Sequence, residues 1–220
     1  MGKTIVFVNQ KGGVGKTTSA INIGAYIALA GKKVLLVDFD SQGNMSSGVG
    51  VSKDKPTIYE LLAGNCTAQA AIKKSSIPNL DAISASIDLS GAAIELVDQE
   101  NWEYYLKNAL EPLQSKYDYI LIDCPPVEIL ADTQIIEKLA DRTIFVVRAG
   151  LMERGLLTEL EAMYQEHKFK NLSVILNGTF SEGGRYGAHY GYGYHYGYGY
   201  HSNYGYHYGY EKKKKKFLFF

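Results

Sequence analysis

The chain has 220 residues, and its 23 basic side chains balance 23 acidic ones, so its formal net charge is zero. This length fits one sizeable α/β domain. No apolar run reaches the roughly 18 residues that a membrane-spanning helix needs. The two cysteines, Cys66 and Cys124, are too few for a disulfide scaffold, so we expect a reduced, cytoplasmic protein.

Charge and aromatic residues are distributed unevenly along the chain. Residues 1–180 carry a net charge of −4, whereas residues 181–220 carry +4. The second part also holds 11 of the 18 tyrosines, all between Tyr186 and Tyr210, among glycines and histidines. Because few aliphatic residues are present there to form a core, we expect a folded body over residues 1–180 and a disordered tail over 181–220 that ends in a lysine run.

Short apolar runs alternate with helical stretches through the first 180 residues. These runs are apolar on both faces, which is typical of parallel strands covered by helices on each side. We therefore expect an α/β fold with a mostly parallel sheet and helices on both faces. Residues 56–115 are expected to be mostly helical. Strands are predicted at residues 4–8, 34–37, 80–83, 119–122, 143–147 and 173–176, and helices at 17–30, 135–140 and 152–164.

A glycine-rich loop lies between the first predicted strand and the first predicted helix. It reads Gln-Lys-Gly-Gly-Val-Gly-Lys-Thr-Thr over residues 10–18, the pattern of a P-loop. Glycines let successive backbone N–H groups turn toward phosphate oxygens, and the helix presents its positive N-terminus to the same anion. We expect Lys16 to reach the β- and γ-phosphates and the Thr17 hydroxyl to bind Mg²⁺. The predicted nucleotide-binding residues of this loop are Gly12, Gly13, Val14, Gly15, Lys16, Thr17 and Thr18.

Acidic residues follow two of the predicted strands. Asp38 and Asp40 come at the end of the second strand and are two residues apart, so an extended backbone would point both to one side. Carboxylates at the carboxyl end of a strand could hold Mg²⁺ and orient an attacking oxygen. Asp123 ends another apolar strand, which is typical of a Walker B motif and predicts that Asp123 holds Mg²⁺ through water.

Two departures from the usual P-loop narrow the class of protein. Gln10 stands where the loop normally opens with glycine, and Lys11 adds a second lysine. With the stretch Val-Asp-Phe-Asp-Ser-Gln-Gly-Asn at residues 37–44, the loop resembles the deviant Walker A ATPases of the ParA/MinD family, especially the Soj-like partition ATPases. This resemblance covers residues 1 to about 126, and it implies a P-loop NTPase fold.

The resemblance also implies roles for individual residues and a function. Lys11 would contact the nucleotide of the partner subunit in an ATP-bound homodimer, and Asp40 would position the hydrolytic water. The last predicted strand ends at Asn177, which would be either an adenine ligand or only a turn residue. The expected function is a switch that dimerises on binding ATP and Mg²⁺, works in partition or intracellular positioning, and lies in the cytoplasm or at the nucleoid or inner membrane. The expected catalytic residues are Lys11, Lys16, Asp38 and Asp40, and the expected metal ligands are Thr17, Asp40 and Asp123.

Two alternatives remain open from the sequence. Residues 127–210 resemble bacterial tyrosine kinases of capsule and exopolysaccharide systems, in which a C-terminal tyrosine cluster is autophosphorylated. That resemblance implies a membrane activator protein and a role for Asp38 in accepting a tyrosine proton. A non-enzymatic nucleotide-binding scaffold with a self-associating tail is the other alternative. The lysine run at 212–216 could contact nucleic-acid phosphates or an anionic membrane.

Overall fold

The computed structural model describes residues 2–91, 101, 104–126, 138–151 and 154–179. The strands within this part of the chain form one sheet of seven, in the order β3-β4-β2-β5-β1-β6-β7. The strands are β1 (Lys3–Val8), β2 (Val34–Asp38), β3 (Ile72–Lys74), β4 (Leu80–Ile83), β5 (Tyr119–Asp123), β6 (Arg142–Arg148) and β7 (Ser173–Asn177). The described helices are α1 (Lys16–Leu29), α2 (Asn44–Gly48), α3 (Ile58–Leu62), α4 (Ala68–Ala71), α5 (Tyr105–Leu110), the 3₁₀ turn Glu111–Leu113 and α6 (Arg154–Gln165).

The sheet is parallel except at one edge. β1 lies between β5 and β6, where Phe7 is in register with Asp123 of β5 and with Ile144 of β6. β2 pairs with β5 and β4, and β7 pairs with β6, all in parallel. The carboxyl ends of these strands therefore meet at one edge of the sheet, where open α/β folds place their ligands. The predicted α/β fold is confirmed.

Alternate residues of the central strands pack into two hydrophobic cores, one on each face of the sheet. Phe7, Leu36 and Leu121 are fully buried on the face that α1 and α2 cover. Val37, Ile120 and Ile122 are fully buried on the other face, against α3, α4, α5 and α6. Because each strand has apolar side chains on both faces, it reads as a continuous apolar run rather than an alternating one.

Helix α1 lies unusually close to the sheet at Gly24. A Cβ atom added there would lie 2.8 Å from Cδ2 of Leu36 and 3.5 Å from Cδ2 of Leu121. Any larger residue would push the helix outward against packed side chains. Gly24 therefore fixes the height of α1 above β2 and β5, and with it the height of the loop that leads into the helix.

The middle of the chain differs from the prediction at β3, which lies antiparallel to β4 as an edge strand. Its sequence, Ile72-Lys73-Lys74, has a single apolar residue and so gives no strand signal. The position of Lys73 explains the strand, because its Nζ donates to the Ser84 hydroxyl at 2.6 Å and to the Ser52 carbonyl at 2.8 Å. These contacts hold β3 against the loops beside β4.

Several predictions fall partly or wholly outside the described residues. The predicted helix at 135–140 is described only from residue 138 onward. The tyrosine cluster and the lysine run both lie in residues 181–220, outside the described part, so the division of the chain at residue 180 stays a prediction. Within the described residues, no helix is both long and apolar enough to cross a membrane.

Candidate functional site

A cleft with a volume of about 490 Å³ opens at the carboxyl edge of the sheet. Its walls come from the loop between β1 and α1 with the start of α1, from the segment after β2, and from Pro126 beyond β5. Three segments that are distant in the sequence thus meet at one place. The lining residues are Gly12, Gly13, Gly15, Lys16, Thr17, Thr18, Ile21, Asp40, Gln42, Asn44 and Pro126.

The predicted phosphate loop has the backbone that its glycines allow. Gly13 has φ of 72° and Gly15 has φ of 100°, a left-handed conformation that side chains with a Cβ rarely adopt. Gly15 is also the N-cap of the 14-residue helix α1, whose first N–H groups and positive dipole end lie at the cleft. Apart from the adjacent residues, no described residue has a heavy atom within 4 Å of where a Cβ on Gly12 or Gly13 would be, so space is open beside this backbone.

Lys16 closes back onto its own loop. Its side-chain Nζ donates to the carbonyl oxygen of Lys11 at 3.1 Å, and the residue is only 7% exposed. Burial lowers the pKa of the Lys16 ammonium, while the nearby carboxylates of Asp123 and Asp40 act in the opposite direction. A cation that is partly stripped of water at the centre of the loop is suited to bind phosphate oxygens.

The start of the loop is tied to β6 through Asn9, a residue that the sequence did not single out. The Asn9 side-chain amide donates to the Val146 carbonyl at 2.6 Å, and its side-chain oxygen accepts from the backbone N–H of Lys11 at 2.6 Å. Asn9 is 4% exposed, so both bonds are shielded from water. The backbone of Lys11 is therefore held from both sides, by Asn9 at its N–H and by Lys16 at its carbonyl.

The middle of the loop is tied to the ends of β6 and β7. Arg148 donates from Nη1 to the Gly13 carbonyl at 3.0 Å, and Asn177 donates from Nδ2 to the Val14 carbonyl at 2.9 Å. Asn177 also accepts from the N–H of Gly178 at 2.8 Å, as a turn residue would. Val14 and Asn177 were predicted as nucleotide ligands, but neither lines the cleft. No motif or spacing predicted a role for Arg148 at this site, since it lies 135 residues from Gly13.

Asp38 and Asp40 take different positions. In a strand that continued past Asp38, side chains two residues apart would have pointed to the same face of the sheet. β2 ends at Asp38, whose fully buried carboxylate accepts from the Ser46 N–H at 2.8 Å and the Ser46 hydroxyl at 2.6 Å. Burial raises the pKa of Asp38, and the bonds from Ser46 work against that rise. Asp38 thus anchors α2 and does not line the cleft.

Asp40 lies beyond the end of the strand and lines the cleft with Gln42 and Asn44. Its Oδ1 accepts from the N–H of Gln42 at 3.0 Å, which fixes the turn that carries the carboxylate. Of the two paired aspartates, Asp40 is the one placed to reach a molecule in the cleft.

Asp123 is buried at the end of β5 without the hydrogen bonds that a buried carboxylate normally has. Both of its oxygens lack a well-aligned partner among the described residues. Burial raises its pKa to about 7, the Thr17 hydroxyl and Lys16 favour the charged form, and Asp38 and Asp40 oppose it. An unsatisfied buried carboxylate beside a hydroxyl is the environment that a divalent cation would complete.

These residues fit a magnesium ion that is bound together with phosphates. Within the described ranges, no cluster of three or more His, Cys, Asp or Glu side chains could hold a metal without further ligands. Mg²⁺ typically takes one or two protein ligands and completes its shell with water and substrate phosphate. Thr17 and Asp123, with Asp40 near them, would supply that incomplete set.

Comparison with known proteins identifies the family. The AAA_31 family model, an AAA domain, matches residues 2–174. The chromosome-partitioning ATPase Soj of Treponema pallidum is 64% identical over 126 residues, which are 57% of this chain and 49% of that protein. The sporulation initiation inhibitor protein Soj of Bacillus subtilis is 51% identical over 128 residues, 57% of this chain and 51% of that protein. The chain thus spans about half the length of the curated relatives it matches.

Solved structures agree with this assignment. Cobyrinic acid a,c-diamide synthase from Mycobacterium smegmatis, with bound ADP and magnesium, superposes with a TM-score of 0.69 at 34% identity and covers 79% of this chain and 72% of its own. A putative plasmid partition protein from Borrelia burgdorferi, bound to AMPPNP, gives a TM-score of 0.68 at 28% identity, with 80% and 74% covered.

The similarity to the two Soj proteins spans 126 and 128 residues, in agreement with the expected extent of the resemblance to partition ATPases, whereas the AAA_31 family model matches as far as residue 174. β6 and β7, which lie after residue 126, complete the same sheet. The predicted likeness of residues 127–210 to tyrosine kinases receives no support from these comparisons, and residues 180–210 lie outside the described part. The chain belongs to the AAA_31 family, and more than half of it is similar to partition proteins of the ParA/MinD type.

Proposed function

We propose that the protein is a Mg²⁺-dependent, ATP-hydrolysing switch that dimerises when it binds ATP. The observation that supports this most is that Lys16 and Asp40 line one cleft, while the buried carboxylate of Asp123 lies near enough to interact electrostatically with Lys16. A cation for the phosphates, a carboxylate for the metal and a carboxylate for the attacking water are the parts that phosphoryl transfer to water requires.

ATP would enter with its phosphates along the glycine loop. The loop N–H groups and the positive end of α1 would bind the phosphate oxygens, and the Lys16 ammonium would exchange the Lys11 carbonyl for phosphate. Thr17 and Asp123 would hold Mg²⁺, which when bound neutralises charge on the phosphates. Asp40 would orient a water molecule toward the terminal phosphate, because its carboxylate faces the cleft from the turn after β2.

Lys11 is the residue on which the dimerisation part of the proposal depends. The two loop lysines differ in placement, since Lys16 is buried whereas Lys11 is partly exposed at the mouth of the loop. By its resemblance to deviant Walker A proteins, Lys11 would reach the nucleotide of the partner subunit. One copy would then lack a complete site until a second copy binds.

The molar mass in solution tests this proposal. With Mg²⁺ and a slowly hydrolysed ATP analogue, light scattering should give the mass of a dimer, and with ADP the mass of a monomer. Lys11→Ala should stay monomeric with the analogue and still bind it, because the backbone carbonyl that Lys16 contacts is retained. A mass that does not depend on the nucleotide would contradict the switch.

We further propose that the switch works in partition or in intracellular positioning. The support is the kinship with proteins named for chromosome partitioning and for plasmid partition. Binding to DNA or to anionic vesicles, measured with ATP and with ADP, would identify the surface on which the dimer acts. Nucleotide-dependent binding to neither would count against this role.

A tyrosine autokinase is the second candidate, favoured by the cluster of 11 tyrosines between Tyr186 and Tyr210. The same nucleotide cleft would serve it, with a tyrosine hydroxyl in place of water as the acceptor. Each phosphate would add a charge of about −1.5 to −2 to the tail. Phosphotyrosine in residues 186–210 after incubation with ATP and Mg²⁺ would favour this candidate over the switch.

A further inference from the structure

Two side chains at the ends of neighbouring strands donate to consecutive carbonyls of the phosphate loop. Arg148 is the last residue of β6 and Asn177 the last of β7, and the two are in register. Arg148 Nη1 lies 3.0 Å from the Gly13 carbonyl oxygen, and Asn177 Nδ2 lies 2.9 Å from that of Val14. We call this pair of donors the carbonyl clamp.

Peptide geometry gives the clamp a consequence for phosphate binding. In a trans peptide unit the carbonyl oxygen and the N–H of the next residue point in opposite directions. When the clamp draws the Gly13 carbonyl toward β6, the N–H of Val14 must point away from β6. In the same way, holding the Val14 carbonyl toward β7 turns the N–H of Gly15 away from β7. The clamp therefore sets the direction of two donors in the loop that is expected to bind phosphate.

Gly15 makes the close approach of Asn177 feasible. A Cβ atom on Gly15 would collide with Nδ2 of Asn177, the atom that donates to Val14. Gly15 is thus required twice, for its left-handed backbone and for the space that Asn177 occupies. This second requirement depends on the fold and would not follow from the P-loop motif alone.

The strand ends that carry the clamp are themselves held together. The N–H of Ala149 donates to the Asn177 carbonyl at 2.8 Å, and the N–H of Leu151 donates to the Arg148 carbonyl at 3.1 Å. Residues 148–151, which include these N–H groups, form a turn that leads from β6 toward α6. A movement of the turn would therefore move both donors, and the loop carbonyls with them.

We propose that Arg148 and Asn177 are positioning residues that keep the phosphate loop ready for nucleotide. They act on the phosphates through the backbone of the loop, whose carbonyls they hold. Losing one donor frees one peptide unit to rotate, which weakens phosphate binding more than it slows the chemical step. The effect on nucleotide binding rests on the proposed function. The structural claim, that the two side chains hold the carbonyls of Gly13 and Val14, does not depend on it.

Arg142 offers a matched control at the opposite end of the same strand. It begins β6 and donates from Nη1 to the hydroxyl of Ser173, the first residue of β7, at 2.7 Å. Arg142→Met and Arg148→Met therefore each remove one guanidinium and one hydrogen bond that β6 donates, from Arg142 to β7 and from Arg148 to the loop. Only the second removes a contact to the phosphate loop.

The first measurement is made without nucleotide, by NMR on the full chain. Arg148→Met should shift the carbonyl carbon of Gly13 and the amide of Val14, because their peptide unit loses its hydrogen bond. Asn177→Ala should shift the next unit, the carbonyl of Val14 and the amide of Gly15. Arg142→Met should leave all four signals in place. Unchanged loop signals in both clamp variants would overturn the structural part of the proposal.

The second measurement uses a fluorescent ATP analogue with Mg²⁺ and steady-state phosphate release. Arg148→Met should raise Kd and KM about tenfold, the effect of losing one charge-assisted hydrogen bond, with kcat changed by less than about threefold. Arg148→Lys should restore part of the affinity, since an ammonium can still donate. Loop shifts with an unchanged Kd would overturn the positioning role. If the wild-type chain bound no nucleotide while the two clamp variants still showed the loop shifts, the proposed function would be overturned and the structural part would stand.

Discussion

The side-chain ammonium of Lys16 lies 3.1 Å from the carbonyl oxygen of Lys11, so the two lysines of the loop are joined through the backbone of one and the side chain of the other. The loop is closed around this bond without a nucleotide. Because Lys16 has exchanged most of its water for one carbonyl, a phosphate oxygen offers it a stronger, charged partner. The nucleotide would thus replace an internal contact and would not have to order a disordered loop.

Replacing each lysine by alanine should separate these two roles. Lys16→Ala removes the ammonium, and we expect phosphate release to fall by about 100-fold or more, as when one preorganised charge-stabilising group is lost. Lys11→Ala keeps the carbonyl and should keep analogue affinity within about threefold while dimerisation is lost. Titration with a fluorescent ATP analogue measures the affinity of each variant, and phosphate release measures its turnover. Equal losses of affinity in both variants would show that the side chain of Lys11 acts within its own site.

Asp40→Asn should separate binding from hydrolysis. The amide keeps the shape of the carboxylate and an oxygen that can accept from the Gln42 N–H, so the turn after β2 should persist. It cannot take a proton from water, and a loss of about 10²–10⁴-fold in phosphate release is expected. Affinity for the analogue should stay nearly unchanged. Full turnover by Asp40→Asn would show that the Asp40 carboxylate is not needed for hydrolysis.

Asp123 should make the nucleotide-free protein less stable as pH rises. Its pKa of about 7 in the folded chain is above the ordinary aspartate value of 3.8, so the folded state binds its proton more tightly than the unfolded state does. Below about pH 4 both states are protonated and Asp123 has no effect. Between about pH 4 and 7 the unfolded state ionises first and stability falls. Above about pH 7 the loss is complete and constant.

Asp123→Asn removes the titrating group. Urea unfolding of the variant and the wild type at two pH values measures its contribution to stability. We expect the variant to gain stability relative to the wild type between pH 5 and pH 8, by about 1–3 kcal/mol. Added Mg²⁺ should reduce the difference, because a cation favours the ionised carboxylate. A difference between variant and wild type that is the same at both pH values would show that Asp123 is not held protonated.

Ser46 supports the other buried carboxylate, and its loss should destabilise the chain. Ser46→Ala removes the hydroxyl that donates to Asp38 at 2.6 Å and accepts from the N–H of Ala85 at 3.2 Å, which leaves buried polar groups without partners. We expect a loss of about 2–4 kcal/mol. Its neighbour Ser47 is the control. Among the described residues, the hydrogen bond of its hydroxyl is to the Gly43 carbonyl in its own helix turn. Ser47→Ala should cost less than about 1 kcal/mol in urea unfolding. Similar losses in both variants would contradict the special role of Ser46.

Much of the fold could be predicted because its signals are local. The strands ending in Asp38 and Asp123 are continuous apolar runs, and the loop leading into Lys16 combines glycines, lysine and threonine at a fixed spacing. The prediction that Asp38 and Asp40 point to the same side assumed that the strand continues to Asp40. β2 ends at Asp38, and the chain turns before Asp40.

The parts that were missed depend on contacts between distant residues. Asn9 and Val146 are 137 residues apart, and Asn177 and Val14 are 163 apart. Side chains such as Asn9 and Arg148 look like ordinary loop or strand-end residues until the sheet brings β6 and β7 beside the phosphate loop. A single sequence carries no periodicity or spacing that would connect them.

Incubation of the full chain with ATP labelled at the γ-phosphate, in the presence of Mg²⁺, tests the central claim most directly. Free phosphate and label on the protein are measured in the same sample, with Lys16→Ala as the control. We predict label in free phosphate from the wild type, little from Lys16→Ala, and none on residues 186–210. Label retained on those tyrosines, or phosphate release that is the same with and without Lys16, would contradict it.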